Sequence, residues 1–334
     1  MIRVWFNHWF STSYGLIELI KRNESEEVYV IGSNRQLNSV IQKVCDEWYE
    51  EPQLEVDEYV EYCVRFCVEH KVDVFIPRKY MVEISKNKAR FEEIGVKVLV
   101  DDYQKILTLN NKVEAYKLLS NIDNVYIPDY EIVTSVEEFE DAYRRIKSKH
   151  DQICVKFVND EGAMSYRRIV DSIDAYSKLR MYSAAEVEYA DYVKALRNMD
   201  SIDELMIMPY LSGTEVSVDC MKTQDGIIAI PRYKSASRHE EILYDKDILD
   251  MTYKILDVIG LEYPCNVQYR FENNIPYLLE VNTRMSGGLQ MSCLAADVNI
   301  PNIALNKVLG NRVEWNVDKR ECTVSYIEMP QIIK

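Results

Sequence analysis

Glu280, Asn282 and Arg284 stand two apart in the run Leu278-Leu279-Glu280-Val281-Asn282-Thr283-Arg284-Met285-Ser286-Gly287-Gly288. On a β-strand, residues two apart share a face. This pattern therefore aims a carboxylate, an amide and a guanidinium into one space, with Leu279 and Val281 turned to a core. A preceding segment offers Asn266 and Gln268, again two apart, joined to the first through the turn Glu272-Asn273-Asn274. Such a hairpin brings Gln268 towards Glu280. Oxygens of Glu, Asn and Gln suit a hard cation such as Mg2+, with Mn2+ as its substitute, whose remaining ligands are phosphate oxygens and water. Gln268, Glu280 and Asn282 are the expected metal ligands. Arg284, just past the strand, is placed to neutralise charge on a phosphoryl group in transfer.

A second run, Met206-Ile207-Met208-Pro209-Tyr210-Leu211-Ser212-Gly213-Thr214-Glu215, reads as a strand, a tight turn and a second strand. A buried crossing of this kind can hold adenine through its backbone. Pro209 lacks an N–H but keeps a carbonyl that accepts from an exocyclic amine, and the Leu211 N–H can donate to a ring nitrogen. Met208, Pro209, Tyr210 and Leu211 are thus the candidate adenine segment, and Glu215 the candidate acceptor for ribose hydroxyls. Two lysines complete the set. Lys156 interrupts the apolar strand Ile153–Val158, where an ammonium needs a partner such as phosphate. Lys112 follows Asn110-Asn111 at a helix start. The loop beyond Lys156, with Gly162 and Ser165, is a candidate phosphate cover.

These residues need a scaffold that alternates strands and helices. Strands are expected at Ile2–Asn7, Val28–Gly32, Asp73–Pro77 and Val96–Val100, with helices at Thr12–Lys21, Tyr59–Glu69 and Met81–Phe91. That order implies a parallel sheet. The first turn lacks GxGxxG, so no dinucleotide fingerprint is present. Helices follow at Leu109–Ser120 and at Ser135–Ser148, with Ser135 as N-cap. Strands come at Tyr130–Val133, Ile153–Val158 and Arg167–Val170. The remainder is strand-rich: Glu204–Tyr210, Glu215–Met221, Gly226–Arg232, Cys265–Phe271 and Pro276–Asn282, with a helix at Glu240–Ile259.

Composition sets the outer bounds. The chain has 334 residues, 47% hydrophobic and 28% charged, with a net charge of −15. That length supports two or three cores. The acidic balance argues against a nucleic-acid binder, and residues such as Glu47, Glu50, Glu51, Glu55, Asp57 and Glu58 read as a solvated helical surface. No apolar run spans a bilayer and no secretory leader is visible. The eight cysteines form no CxxC pair, so reduced thiols and a cytoplasmic location are expected. His8, His70, His150 and His239 have no metal-ligand spacing and read as structural or surface residues. Trp5, Trp9 and Phe10 are read as core in preference to a substrate wall.

The chain resembles the ATP-grasp superfamily, nearest its carbamoyl-phosphate-synthase-like branch, which includes carboxylate–amine ligases. The resemblance rests on Asn266-x-Gln268 with Glu280-x-Asn282-x-Arg284, on Met208 seven residues before Glu215, and on Lys112 and Lys156. Arg232 fits the arginine that precedes the metal hairpin. The resemblance implies an α/β fold, α+β in its ATP-binding part. It divides into a Rossmann-like pre-ATP domain at 1–100, a small lid domain with connecting helices at 101–205, and a large mixed-sheet domain at 206–334. Met208 replaces an acid common in the family, Phe157 a proline, and the lid loop is poor in glycine. The implied reaction is ADP-forming ligation of a small carboxylate with an amine or a thiol, through an acyl phosphate. Arg284, Arg232 and Lys156 would be catalytic, ATP and Mg2+ the cofactors, and a homodimer remains open. Phosphorylation of carbamate, as in tandem modules of which this chain holds one, and a non-catalytic ATP sensor stand as alternatives. Specificity is expected at Asn7–Thr12, around Pro77-Arg78-Lys79, and at Ser286–Gln290.

Overall fold

The computed structural model describes residues 1–333 other than 9, 160–164, 181–184 and 236–237. Two compact units emerge, one of Met1–Leu109, Thr214–Gln268 and Glu280–Lys334, the other of Asn110–Gly213 and Tyr269–Leu279.

In the first unit, strands β1 (Ile2–Asn7), β2 (Val28–Asn34), β3 (Glu47–Glu50), β4 (Val74–Ile76) and β5 (Lys97–Val98) form a sheet ordered β3-β2-β1-β4-β5. Every pairing is parallel. Parallel strands are buried on both faces and so read as apolar runs. Val4 and Phe6 join one core with Leu16, Ile17 and Ile20 of helix α1 (Ser13–Lys21). Trp5, Ile31 and Phe75 join the opposite core with Tyr59, Cys63, Phe66 and Cys67 of α2 (Val56–Glu69). Trp5 is fully buried and stacks on Phe66 and Phe75, with centroids 4.3 and 4.2 Å apart. Phe10, by contrast, is 62% exposed, and Trp9 lies outside the described residues.

The expected helix Met81–Phe91 is two helices, α3 (Met81–Lys86) and α4 (Lys88–Glu93). Asn87 breaks it, donating from Nδ2 to the Glu83 carbonyl at 2.8 Å, because a short amide competes with the helical ladder. Similarly, Leu109–Ser120 divides into α5 (Tyr103–Asn110) and α6 (Lys112–Leu119). Asn111 caps the second, accepting from the N–H groups of Val113 and Glu114.

The second unit carries β6 (Glu131–Val133), β7 (Ile153–Phe157), β8 (Arg167–Val170), β9 (Glu186–Glu188) and β10 (Leu205–Pro209), ordered β6-β10-β7-β8-β9. Helices α7 (Val136–Lys147), α8 (Ala175–Arg180) and α9 (Tyr189–Arg197) complete it. Ser135 is the N-cap of α7, its side chain accepting from the Glu138 N–H.

The third sheet is ordered β15-β14-β11-β12-β13-β16. Its members are β11 (Glu215–Lys222), β12 (Ile227–Lys234), β13 (His239–Ile242), β14 (Cys265–Glu272), β15 (Ile275–Asn282) and β16 (Cys322–Ser325). The expected helix over Glu240–Ile259 starts only at Lys246, as α10 (Lys246–Ile259) capped by Asp245. Residues 239–242 are a strand because they pair with β12 and with β16, some eighty positions away in sequence. Helices α11 (Leu289–Ala295) and α12 (Ile300–Leu309) follow. Asn273 and Asn274 both have positive φ, 51° and 63°, the backbone a two-residue hairpin demands. No described helix is long and apolar enough to cross a membrane.

Candidate functional site

In the first unit, β11 alternates buried apolar residues with a polar row of Glu215, Ser217 and Asp219, and β12 sets Arg232 opposite Ser217. Arg232 is 3% exposed. Its Nε donates to Asp219 Oδ2 at 2.9 Å, its Nη1 pairs with Glu240, and its Nη2 donates to the hydroxyls of Ser217 and Ser286. Burial disfavours the guanidinium, but the carboxylates of Asp219 and Glu240 overcome this and raise its pKa. Asp219 is fully buried and accepts four bonds. Besides Arg232, Ser292 Oγ donates at 2.6 Å, Ser286 Oγ at 2.6 Å and Asn266 Nδ2 at 2.7 Å. A buried carboxylate survives only with such complete pairing.

The network extends outward to the expected metal face. Asn266 Oδ1 accepts from Ser217 Oγ at 3.1 Å and from Gln268 Nε2 at 3.1 Å. Gln268, half-buried, is thereby held through Asn266 onto Asp219. On β15, Asn282 Nδ2 donates to Glu280 Oε1 at 2.8 Å, so these two side chains share a face. Val281 is buried, as expected, whereas Leu279 is only half-buried and Leu278 is the fully buried leucine. Among the described residues no three His, Cys, Asp or Glu side chains cluster as a metal cage. The donor set is one carboxylate and two amides. That set fits a cation that arrives already coordinated by phosphates better than one held by protein alone. Arg284 is half-buried, ahead of buried Met285 and Ser286. Glu215 pairs with Lys234, a cation that the sequence reading did not single out.

In the second unit, Lys112 is 7% exposed and donates from Nζ to the Val158 carbonyl at 3.3 Å. Lys156 sits half-buried on β7 with Nζ 5.8 Å from the Tyr116 ring centroid. Tyr116 is itself fixed, donating from its hydroxyl to the Leu279 carbonyl at 2.8 Å. Ser165 accepts from the Phe157 N–H at 3.0 Å, while Gly162 lies outside the described residues. Met208 and Pro209 end β10, where Met206 is opposite Lys156 and Met208 opposite Cys154. The Tyr210 N–H donates to the Gln152 carbonyl at 2.8 Å. The Tyr210 ring lies 5.0 and 5.2 Å from the guanidiniums of Arg168 and Arg270. Pro209, Tyr210 and Leu211 also line a cavity of about 470 Å³ together with His150 and Gln152.

The structure thus draws the sequence candidates into two groups, one in each unit. Sequence reasoning missed Ser217, Asp219, Glu240 and Ser292 among the partners that immobilise Arg232 and Asn266, and took Ser286 for a specificity residue. The polar alternation Glu215-x-Ser217-x-Asp219 was the signal available for two of them. Glu240 was hidden by the helix expected there.

Residues 201–330 match the family described as ATP-grasp in the biosynthetic pathway with Ter operon. The carbamoyl phosphate synthase large chain of Pyrococcus furiosus is 22% identical over 258 residues, which are 73% of this chain and 22% of that protein. The chain therefore spans about a fifth of that relative's length. Its fold is similar to the biotin carboxylase domain of the Hydrogenobacter thermophilus 2-oxoglutarate carboxylase, solved as a dimer with MgADP and bicarbonate. The TM-score is 0.69 at 16% identity, covering 95% of this chain and 71% of that one. It is also similar to an L-amino acid ligase from Bacillus licheniformis, with a TM-score of 0.65 at 13% identity, covering 92% and 74%. Residues 201–330 thus match an ATP-grasp family, and over most of its length the chain has an α/β fold similar to those of the biotin carboxylase domain and the amino acid ligase.

Proposed function

We propose that the protein is an ADP-forming ligase that activates a small carboxylate with ATP and joins it to an amine. The observation that carries this reading is the pairing of Glu280 with Asn282 on one strand face, beside Gln268 anchored through Asn266 to Asp219. A set braced in this way suits phosphoryl transfer, in which positioning and charge neutralisation govern the rate.

In this reading Met208, Pro209, Tyr210 and Leu211 receive adenine, Glu215 the ribose, and Lys112, Lys156, Gly162 and Ser165 the phosphates. Gln268, Glu280 and Asn282 would hold Mg2+, which when bound neutralises phosphate charge. The γ-phosphoryl group passes to a carboxylate oxygen, leaving ADP and an acyl phosphate. The amine then attacks the acyl carbon, the C–N bond forms, and the C–O bond to phosphate breaks. Such transfer is governed by positioning and charge neutralisation, with little demand for a strong base. Arg284 contacts the transferring group and then the developing oxyanion. Arg232, saturated by Asp219, Glu240, Ser217 and Ser286, acts by positioning Ser286 and the turn that follows it. The division at residues 100 and 205 into pre-ATP, lid and metal-bearing parts belongs to the same proposal.

The test is ADP release, measured across pairs of amino acids and small carboxylates with ATP and Mg2+. Carboxylate-dependent ADP formation that rises further with an amine supports the reading. Tight ATP binding with no turnover across the panel would move it to a sensor.

A further inference from the structure

The carboxyl ends of β2, β1 and β4 lie side by side in the first sheet, and the strand order reverses between β1 and β4. In open parallel sheets that reversal leaves a crevice where ligands bind. Just past these three ends stand Arg35, His8 and Lys79. Arg35 Nε and Lys79 Nζ are buried polar atoms without a hydrogen-bond partner, whereas His8 Nδ1 lies 3.7 Å from Glu51 Oε2. The Lys79 ammonium lies 4.3 Å from the Tyr59 ring centroid and 4.7 Å from that of Tyr80. The neighbouring carboxylate is already engaged. Glu51 accepts from Ser33 Oγ at 2.9 Å, Tyr59 Oη at 2.8 Å and the His8 N–H at 2.9 Å. Burial and the nearby Arg35 charge lower the Lys79 pKa, and Glu51 only partly opposes them. Two desolvated cations set against each other cost free energy unless an anion joins them. Backbone strain marks the same place, since His8 and Tyr80 both adopt left-handed φ, 50° and 52°.

The turn from β1 into α1 ties this cluster to the segment after Arg284. A Cβ on Gly287 would meet Thr12 Oγ1 at 3.3 Å, and Gly15 abuts Gln290 Oε1, another buried atom without a partner. In the proposed reaction Arg284 and Mg2+ would answer the charge of the carboxylate that becomes phosphorylated. Arg35 and Lys79 are additional to that need.

We propose that Arg35 and Lys79 bind a second anionic group on the carboxylate substrate, so that the acceptor is a dianion. Arg78, which is buried, precedes Lys79 and has its guanidinium 5.1 Å from the Phe10 ring centroid. The inference rests on the ligase reading for the word substrate, but not for the binding itself.

The experiment is calorimetry without nucleotide, using matched probes: L-glutamate against L-glutamine, succinate against butanoate, and O-phosphoserine to tell a phosphoryl group from a carboxyl. The charged member of a pair should bind at least about tenfold more tightly. Lys79→Met and Arg35→Gln should each remove most of that preference, and Lys79→Arg should keep it, with melting temperatures near wild type. Equal affinity within every pair, or no binding by any probe, overturns the proposal, as does a Lys79→Met protein that discriminates like wild type. Because nucleotide is absent, failure of the ATP reading leaves this result readable on its own.

Discussion

The Arg232 guanidinium is packed so closely against Gly288 that a Cβ built on the glycine would overlap Nη1, Cζ and Nη2. Gly288 has φ −99° and ψ −3°, which other residues adopt, so space and not backbone freedom requires glycine here. Arg232 cannot give way, because its donors are held by Asp219, Glu240, Ser217 and Ser286. Gly288→Ala should therefore cost about 1–3 kcal/mol of stability through overpacking. Gly287→Ala, at an exposed position where a Cβ would meet only the Thr12 side chain, its hydroxyl nearest at 3.3 Å, should cost less, about 1 kcal/mol or under. Thermal melts of the two variants make the comparison, and an unshifted Gly288→Ala melt would show that Arg232 yields.

Asp219→Asn should be among the most damaging substitutions in the chain. The amide presents a donor where four donors converge, and it strips a buried guanidinium of its closest carboxylate. Breaking a buried pair in this way costs about 3–5 kcal/mol. Because Asn266 carries Gln268, the Mg2+ concentration needed for half-maximal ADP release should also rise. Urea unfolding and a Mg2+ titration check the two effects. A variant of near wild-type stability would mean that Arg232 draws its support chiefly from Glu240.

The strands bearing chemistry were legible because their information is local. Period-two alternation placed Asn266, Gln268, Glu280 and Asn282 on strands, and Asn273-Asn274 announced the turn between them. The parallel first sheet was legible for the same reason, in the apolar runs of β1, β2 and β4. What escaped was set by distant partners. Residues 239–242 form a strand only because β16 arrives to pair with them, and Glu240 then reaches Arg232. Glu51 was read as solvated, yet it is 3% exposed. Its burial depends on Ser33, Tyr59 and His8, which meet only in the folded sheet. Asn87 and Asn111 interrupt the expected helices through local side-chain bonds to the backbone, which compete with the helical ladder without changing its apolar pattern.

Glu51 also supplies a pH prediction. Burial alone would raise its pKa, but hydrogen bonds from His8, Tyr59 and Ser33 outweigh burial and hold the carboxyl below its ordinary range. A depressed folded-state pKa contributes stability above the unfolded value and loses it as pH falls through the folded one. Glu51 should therefore stabilise the protein at neutral pH and cease to do so in the acid range, below ordinary carboxylate values. Glu51→Gln should be less stable than wild type at pH 7, and the gap should narrow on acidification. Melting curves from neutral to acid pH test this; a gap that widens towards acid reverses the assignment.

Glu280→Gln and Asn282→Ala should each slow turnover far more than they weaken folding. Both side chains are half-buried beside the buried Val281, so their removal opens little cavity. A lost transition-state contact costs about 2–4 kcal/mol, or on the order of 10²–10³ in rate. Either variant releasing ADP at a near-normal rate under saturating Mg2+ would show that the metal lies elsewhere.

Arg284 separates a ligase from a sensor. It stands two positions beyond Asn282, where the strand gives way to Met285 and Ser286, both buried, and Ser286 is locked to Asp219 and Arg232. The backbone under Arg284 is thus fixed on both sides, by β15 before it and by the buried network after it. A guanidinium offers two parallel donors to a phosphoryl group, a geometry that the point charge of a lysine cannot reproduce. Arg284→Lys should leave ATP affinity within a few-fold of wild type, since adenine, ribose and two lysines carry most of that binding. Carboxylate-dependent ADP formation should fall by roughly 10²-fold or more. Loss confined to turnover marks a contact made mainly in the transition state. Calorimetry and coupled ADP release on one preparation give both numbers. Weakened ATP binding with normal turnover at saturation would assign Arg284 to the nucleotide in its ground state.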